Sequence, residues 1–269
     1  MVAPNPPEHA LEAAALTDTG TARDHNEDAC AVLCDSPTCA VVGVADGVSS
    51  YPGGETASRL ALDVLVRAWG EQPGVSPYKR LARAAQQANI EVHDLAMVVP
   101  ELNGMATTLT AVVLDRGELV AAHVGDSRLY LVREDGITQL TKDHTVIGER
   151  VRMGLLSEER GRGHPHRSVL TRCLGRELIV AIDRITRPVQ QADALLVCSD
   201  GLYGVLEDGE MAALVRQAAD AAGACRALLD AANARGTPDN LTAVVVRVVG
   251  PVPERAPENL GWRRLFRGR

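Results

Sequence analysis

The chain has 269 residues, 46% of them apolar and only 3% aromatic, with a formal net charge of −7. That length allows one large domain or two small ones, with a core that Val, Leu and Ala must fill. The negative charge argues against a general nucleic-acid binder, which needs a basic footprint.

Residues 1–10, rich in Pro and Ala, read as a disordered leader. The first 16 residues lack a basic segment and a continuous apolar core, so they do not read as a signal peptide. No apolar run approaches the roughly 20 residues that span a bilayer, and a cytoplasmic protein is expected. The six cysteines then read as reduced thiols. Cys30, Cys34 and Cys39 are close in sequence, but no Cys-x-x-Cys pair occurs, so buried thiols are expected rather than a zinc site.

Strands are predicted over 29–34 and 40–45. Residues 53–70 place Ala57, Leu60, Ala61, Val64 and Leu65 on one helical face. Ser76-Pro77 marks the N-cap and first position of a second helix, running to about residue 95. A meander follows over 107–114, 119–125 and 128–133, with a short strand at 137–139. Thr145 can cap a helix over 146–153. Residues 155–167 are charged, contain Gly and have no apolar period, which reads as a mobile surface loop. Strands resume at 178–187 and 194–199. Helices over 209–219 and 221–235 end at Gly236, a C-cap candidate, and the last strand is 241–249. Hairpin-linked strands with helices in consecutive pairs do not suit a Rossmann-type parallel sheet. They predict an α+β fold: a central β-sandwich of two antiparallel sheets, flanked by helix pairs on both outer faces in four αββα layers. The expected division is a leader (1–10), a catalytic domain (11–250), and a Pro-containing linker with a basic tail (251–269).

Acidic residues recur at the ends of the predicted strands. Glu27 and Asp28 precede one strand, Asp46 and Asp200 close two others, and Asp239 opens the last. In antiparallel sheets the end of one strand lies beside the start of its neighbour, so these groups can meet at one edge. Such crowding is repulsive, and a hard divalent cation such as Mg²⁺ or Mn²⁺ removes the penalty.

Eight motifs occur in order: Thr19-Gly20 with Arg23-Asp24-His25-Asn26-Glu27-Asp28; Val44-Ala45-Asp46-Gly47; Gly104-Met105-Ala106-Thr107-Thr108-Leu109; Gly125-Asp126-Ser127-Arg128-Leu129-Tyr130; Lys142-Asp143-His144; Leu170-Thr171-Arg172-Cys173-Leu174-Gly175; Ser199-Asp200-Gly201-Leu202; and Pro238-Asp239-Asn240-Leu241-Thr242. Together they resemble the metal-dependent Ser/Thr protein phosphatases of type 2C, or PPM, in their bacterial single-domain branch. The resemblance spans roughly residues 12–249. It implies the same sandwich fold and two Mn²⁺ or Mg²⁺ ions at its edge. Asp46 would bridge both ions, Asp200 and Asp239 would complete one site, and the Gly47 carbonyl would help hold the other. Glu27 and Asp28 would hold ion-bound waters. Asp126 resembles the residue that binds a weaker third ion, alone or with Asp200, although Asp126-Ser127 reads equally as a hairpin turn.

The implied reaction is hydrolysis of phosphoserine or phosphothreonine in proteins by a hydroxide held between the ions. Arg23 would bind the phosphoryl oxygens, as its planar fork allows. Two departures stand out. Ser49-Ser50 replaces a Gly-Gly pair common in the family. Val48 also stands where some members carry a His as general acid, which leaves His144, His164 or water for that task. Asp143-His144 itself reads as a structural hydrogen-bonding pair. The 155–167 loop corresponds to the family's flap and is expected to govern substrate choice.

Two alternatives remain: a pseudophosphatase that senses metal or phosphopeptide, and a phosphatase of small phosphoesters. Phosphoprotein substrates, an opposing bacterial Ser/Thr kinase and a monomeric state are the expected associations. Pro251 opens the linker, and Trp262, Leu265 and Phe266 stand among Arg263, Arg264, Arg267 and Arg269 in the tail. That tail reads as a contact for an anionic membrane or acidic partner, or as a solubilising end.

Overall fold

In the computed structural model, residues 10–72 and 74–251 are described. Apart from Ala10 and Pro251, the expected leader and basic tail lie outside the described residues. In chain order the strands are β1 (Leu11–Asp18), β2 (Asp28–Ser36), β3 (Cys39–Asp46), β4 (Leu109–Asp115), β5 (Glu118–Val124), β6 (Arg128–Arg133), β7 (Gly136–Gln139), β8 (Asp183–Pro188), β9 (Ala194–Cys198) and β10 (Leu241–Val248). The helices are α1 (Gly54–Gly70), α2 (Pro77–Val98), α3 (Val146–Arg152), α4 (Glu158–Arg162), α5 (Asp200–Tyr203), α6 (Asp208–Gln217) and α7 (Ala221–Ala234). Two five-stranded antiparallel sheets result, in the orders β1-β10-β9-β6-β7 and β2-β3-β4-β5-β8. This is the expected α+β sandwich.

The strand alternation assigns each residue to a layer. On β3, Val41 and Ala45 pack against α1 and α2, while Ala40, Val42 and Val44 meet the other sheet. On β10, Leu241, Ala243 and Val245 face α6 and α7, while Val244, Val246 and Val248 point between the sheets. With so few aromatics, these aliphatic layers carry the stability, each buried Val or Leu contributing about 1.5–3 kcal/mol. On α1, Ala57, Ala61, Val64, Leu65 and Ala68 are buried at helical spacing.

Several local expectations change. β1 has no predicted counterpart. Its Ala-rich sequence lacks the β-branched alternation of a strand, and pairing with β10 from Leu11 to Asp18 is what extends it. The predicted strand over 178–187 begins only at Asp183. The Asn89 amide takes the carbonyls of Glu177 and Leu178 at 2.9 and 3.0 Å, which ties that stretch to α2. The predicted loop over 155–167 contains α4, whose first turn is capped by the Ser157 hydroxyl. α5 is a further helix that the sequence reading did not separate. Pro77 opens α2, but Ser76 makes no capping hydrogen bond. Thr145 does cap α3, accepting from the Gly148 N–H at 2.9 Å, and Gly236 follows α7 with its N–H on the Asn233 carbonyl.

Candidate metal centre

The antiparallel register sets Asp28, the first residue of β2, directly opposite Asp46, the last residue of β3. The other sheet supplies the ends of β9 and β10. There Ser199 Oγ and Thr242 Oγ1 each donate to Asp28 Oδ2 at 2.7 Å. Asp28 is thus a buried rivet between the two sheets. Its other oxygen, Oδ1, is buried with no hydrogen-bond partner.

Asp46 is fixed through its backbone. Thr108 Oγ1 accepts from the Asp46 N–H at 2.9 Å, and the Asp46 carbonyl accepts from Thr107 Oγ1 and the Thr108 N–H, both at 2.9 Å. The next residue must be Gly. A Cβ on Gly47 would lie 2.5 Å from the Gly54 backbone, where the start of α1 crosses. The Glu27 carboxylate lies against Gly54 as well: a Cβ there would come within 2.8 Å of Glu27 Oε1. A carboxylate at the first turn of α1 is favoured by the helix dipole.

Asp239 and its neighbour close the site. Asn240 donates from Nδ2 to the carbonyls of Thr19 (2.8 Å) and His25 (2.9 Å), and its Oδ1 accepts from the Glu27 N–H at 2.9 Å. These bonds clamp the 19–27 segment against the start of β10. Arg23 is thereby held at the rim, with Nη2 2.9 Å from Asp239 Oδ2, Nε donating to the Pro238 carbonyl at 3.2 Å and Nη1 to Ser49 Oγ at 3.3 Å. Ser49, one of the two departures from the family pattern, is therefore a partner of Arg23.

Asp126 is buried on the turn between β5 and β6, its carbonyl accepting from Tyr203 Oη at 3.0 Å. Asp200 opens α5.

The electrostatics of this group are unfavourable. Burial and then the charges of Asp28, Asp200, Asp126 and Asp239 push the Asp46 carboxyl well above the usual carboxylate range. Burial, Asp239 and Asp28 raise Asp200 to about 7, against the opposing pull of Arg167 and Arg23. Burial raises Asp28 to about 6 despite its hydroxyl donors, and burial with Asp200 and Asp143 raises Asp126. Among the described residues, no three Asp, Glu, His or Cys side chains have by themselves the spacing of a complete ligand cage. What the site does have is an oxygen-only donor set, mutual repulsion and an orphan buried oxygen. These fit a hard divalent cation.

The structure thus brings Asp28, Asp46, Asp126, Asp200 and Asp239 together, with Glu27, Gly47 and Arg23 around them. His144 and His164 are engaged elsewhere. His144 is fully buried and packed against Gly125. His164 Nδ1 accepts from the His166 N–H at 3.1 Å. The expected Asp143–His144 pair does not form: Asp143 binds Arg128 instead, through Nε and Nη2 at 3.0 and 2.7 Å. Ser199, Thr242, Thr107, Thr108 and Asn240 were not singled out from sequence. Ser199 and Asn240 adjoin Asp200 and Asp239 and Thr242 lies three residues past Asp239, so position was their signal; Thr107 and Thr108 stand beside no carboxylate in sequence.

Residues 20–244 match the family model for protein phosphatase 2C. The chain belongs to that family. It is 36% identical over 234 residues to the serine/threonine phosphatase stp of Listeria innocua, a match covering 86% of this chain and 93% of that one. Among solved structures, the serine/threonine phosphatase Stp1 from Staphylococcus aureus matches with a TM-score of 0.85 at 28% identity, over 89% of this chain and 96% of that one. The catalytic domain of the protein phosphatase PstP, solved in complex with two manganese ions, matches with a TM-score of 0.78 at 32% identity, over 89% of this chain and 98% of that one. The sandwich is thus that of the protein phosphatase 2C family.

Proposed function

We propose that this chain is a metal-dependent protein serine/threonine phosphatase, with residues 11–250 as its catalytic unit. The observation that carries the reading is the set of buried and half-buried, mutually repelling carboxylates with Arg23 at its rim. Asp46, Asp200 and Asp239, with the Gly47 carbonyl, would hold two Mn²⁺ or Mg²⁺ ions; Glu27 and Asp28 would orient waters around them. Asp126 is the residue for a third, weaker ion. When bound, such ions lower the pKa of water towards neutrality and offset phosphoryl charge.

The chain's own groups do the remaining work. The Arg23 guanidinium presents donors to the phosphoryl oxygens and stabilises charge as it redistributes. Asp239 and Ser49 hold that guanidinium in place. Thr107 and Thr108 fix the Asp46 backbone. With His144 buried and His164 bonded within its own turn, solvent water is the proton source for the departing Ser or Thr alkoxide.

The substrates are phosphoproteins, and a Ser/Thr kinase supplies the opposing reaction. No helix among the described residues is long and apolar enough to cross a membrane, and a cytoplasmic setting suits such substrates. The test is hydrolysis of a phosphothreonine peptide with and without Mn²⁺. The expected result is metal-dependent turnover lost in EDTA. Activity that survives complete metal removal overturns the reading.

A further inference from the structure

His144 is the one fully buried imidazole that touches both the carboxylate region and the segment arching over residues 145–171. Its backbone N–H donates to the Gly125 carbonyl at 2.8 Å, and its ring Nδ1 accepts from the Gly125 N–H at 3.1 Å. Both polar atoms of Gly125 are thus held by one residue. Gly125 needs this support. It turns the chain with φ 107°, and a Cβ there would lie 2.5 Å from Thr108 Cγ2. The next residue is Asp126, so the clamp on Gly125 sets where that carboxylate points.

The same residue is the hinge post of the arch. The His144 carbonyl accepts from the Thr171 N–H at 2.8 Å. Thr145 and Leu170 form an antiparallel bridge, and the Val146 N–H reaches the Val169 carbonyl at 2.9 Å. The arch therefore departs from His144 and returns to it. Because Nδ1 accepts, the neutral ring carries its proton on Nε2, which lies 3.3 Å from Asp183 Oδ2. Arg172, just past the arch, donates to the other Asp183 oxygen at 2.7 Å. The His123 ring packs on the remaining side, with centroids 4.7 Å apart.

We infer that His144 is a positioning residue that locks the Gly125–Asp126 turn to the base of the 145–171 arch. Asp126 and the arch then move as one body, so substrate selection over the site is tied to carboxylate placement within it. The consequence for catalysis rests on the phosphatase reading above; the mechanical coupling does not.

The experiment is amide hydrogen exchange on the metal-free full-length chain, comparing wild type, His144→Asn and His144→Gln. Asn places an acceptor near the position of Nδ1; Gln moves it away. His144→Gln should speed exchange at Gly125 and Thr171 about tenfold, the scale of one lost buried hydrogen bond, with β3 and β4 unchanged. His144→Asn should stay near wild type at both amides. Asp183→Ala, a half-exposed change, should give a smaller increase at the same two amides and is the working variant where His144→Gln does not fold. In turnover, His144→Gln should raise KM for a phosphopeptide more than for a small aryl phosphate. The inference is overturned if Gly125 and Thr171 respond independently, if Asn and Gln behave alike, or if exchange rises across the whole sandwich. The exchange measurement needs no turnover, so an inactive wild type would sink the functional reading and leave this test intact.

Discussion

Asp193, just before β9, and Asp200, just after it, sit at opposite ends of one strand. Asp193 is buried and receives a two-pronged bond from Arg133, Nε and Nη2 each at 3.0 Å, plus the Gln190 N–H at 3.0 Å. Asp200 instead faces Asp239 and Asp28, and its proton affinity rises to about 7 through burial and those charges. At this end the arginine ion pair is Arg23 with Asp239 at the rim, and none of the arginine ion pairs among the described residues engages Asp28, Asp46 or Asp200. Asp193 is given a cation by the chain, whereas Asp28, Asp46 and Asp200 are left to repel one another, which is what the proposed metal reading requires.

Four experiments test that contrast. The largest effect is expected for Asp46→Asn and Asp200→Asn. Turnover of a phosphothreonine peptide should fall at least ~100-fold, because several kcal/mol of charge stabilisation depend on ions these residues would hold. Melting temperature in EDTA should stay level or rise, since each change relieves repulsion. Full turnover in either variant breaks the comparison. Arg23→Ala comes next. Losing charge-assisted bonds to phosphate, about 1.5–3 kcal/mol, should raise KM roughly 10–100-fold, with a smaller change in kcat. A pure kcat defect would move Arg23 out of the binding role.

The opposite end of β9 should behave in the opposite way. Asp193→Ala is expected to cost about 1–3 kcal/mol of stability in urea unfolding, with or without Mn²⁺, and to leave turnover unchanged. The fourth effect is a pH dependence in the metal-free protein. Asp28 is raised to about 6 when folded, against about 3.9 when unfolded. The folded state thus binds the extra proton, and the stability it confers is present below about pH 4 and lost as pH rises through about 6. His123, lowered to about 4 by burial and by His144, works the other way between about 4 and 6.5. The comparison with Asp28→Asn removes it. That variant should gain about 3 kcal/mol on wild type across the window. A constant difference from pH 4 to 7 would show that Asp28 does not titrate there.

Much of this architecture was legible in the sequence because it rests on period and position. The valines of β3 and β10 alternate cleanly, and the acidic motifs stand where those runs start or stop. What escaped detection depended on partners distant in sequence. β1 is a strand because β10 lies beside it. Residues 178–182 are not a strand, and the Asn89 amide takes the carbonyls of Glu177 and Leu178 where it was expected to begin. Asn240 is a clamp only once Thr19, His25 and Glu27 are brought within reach. His144 was read with its sequence neighbour Asp143, yet its partners are Gly125, Thr171 and Asp183. Spacing along the chain shows which carboxylates can share an edge, but not which hydroxyls and amides will aim them.

β10, the last strand among the described residues, lies between β1, the first, and β9. The sheet that carries Asp200 and Asp239 therefore cannot close until β10 has been made. Glu27 is made 213 residues before Asn240, and Asp28 214 residues before Thr242, the groups that hold them in place. Long-range closure of this kind is slow to nucleate. Its consequence is timing: a chain without β10 lacks Asp239 and half of the clamp on the 19–27 segment, and the acidic edge is assembled in one step when that strand is threaded into the gap left for it.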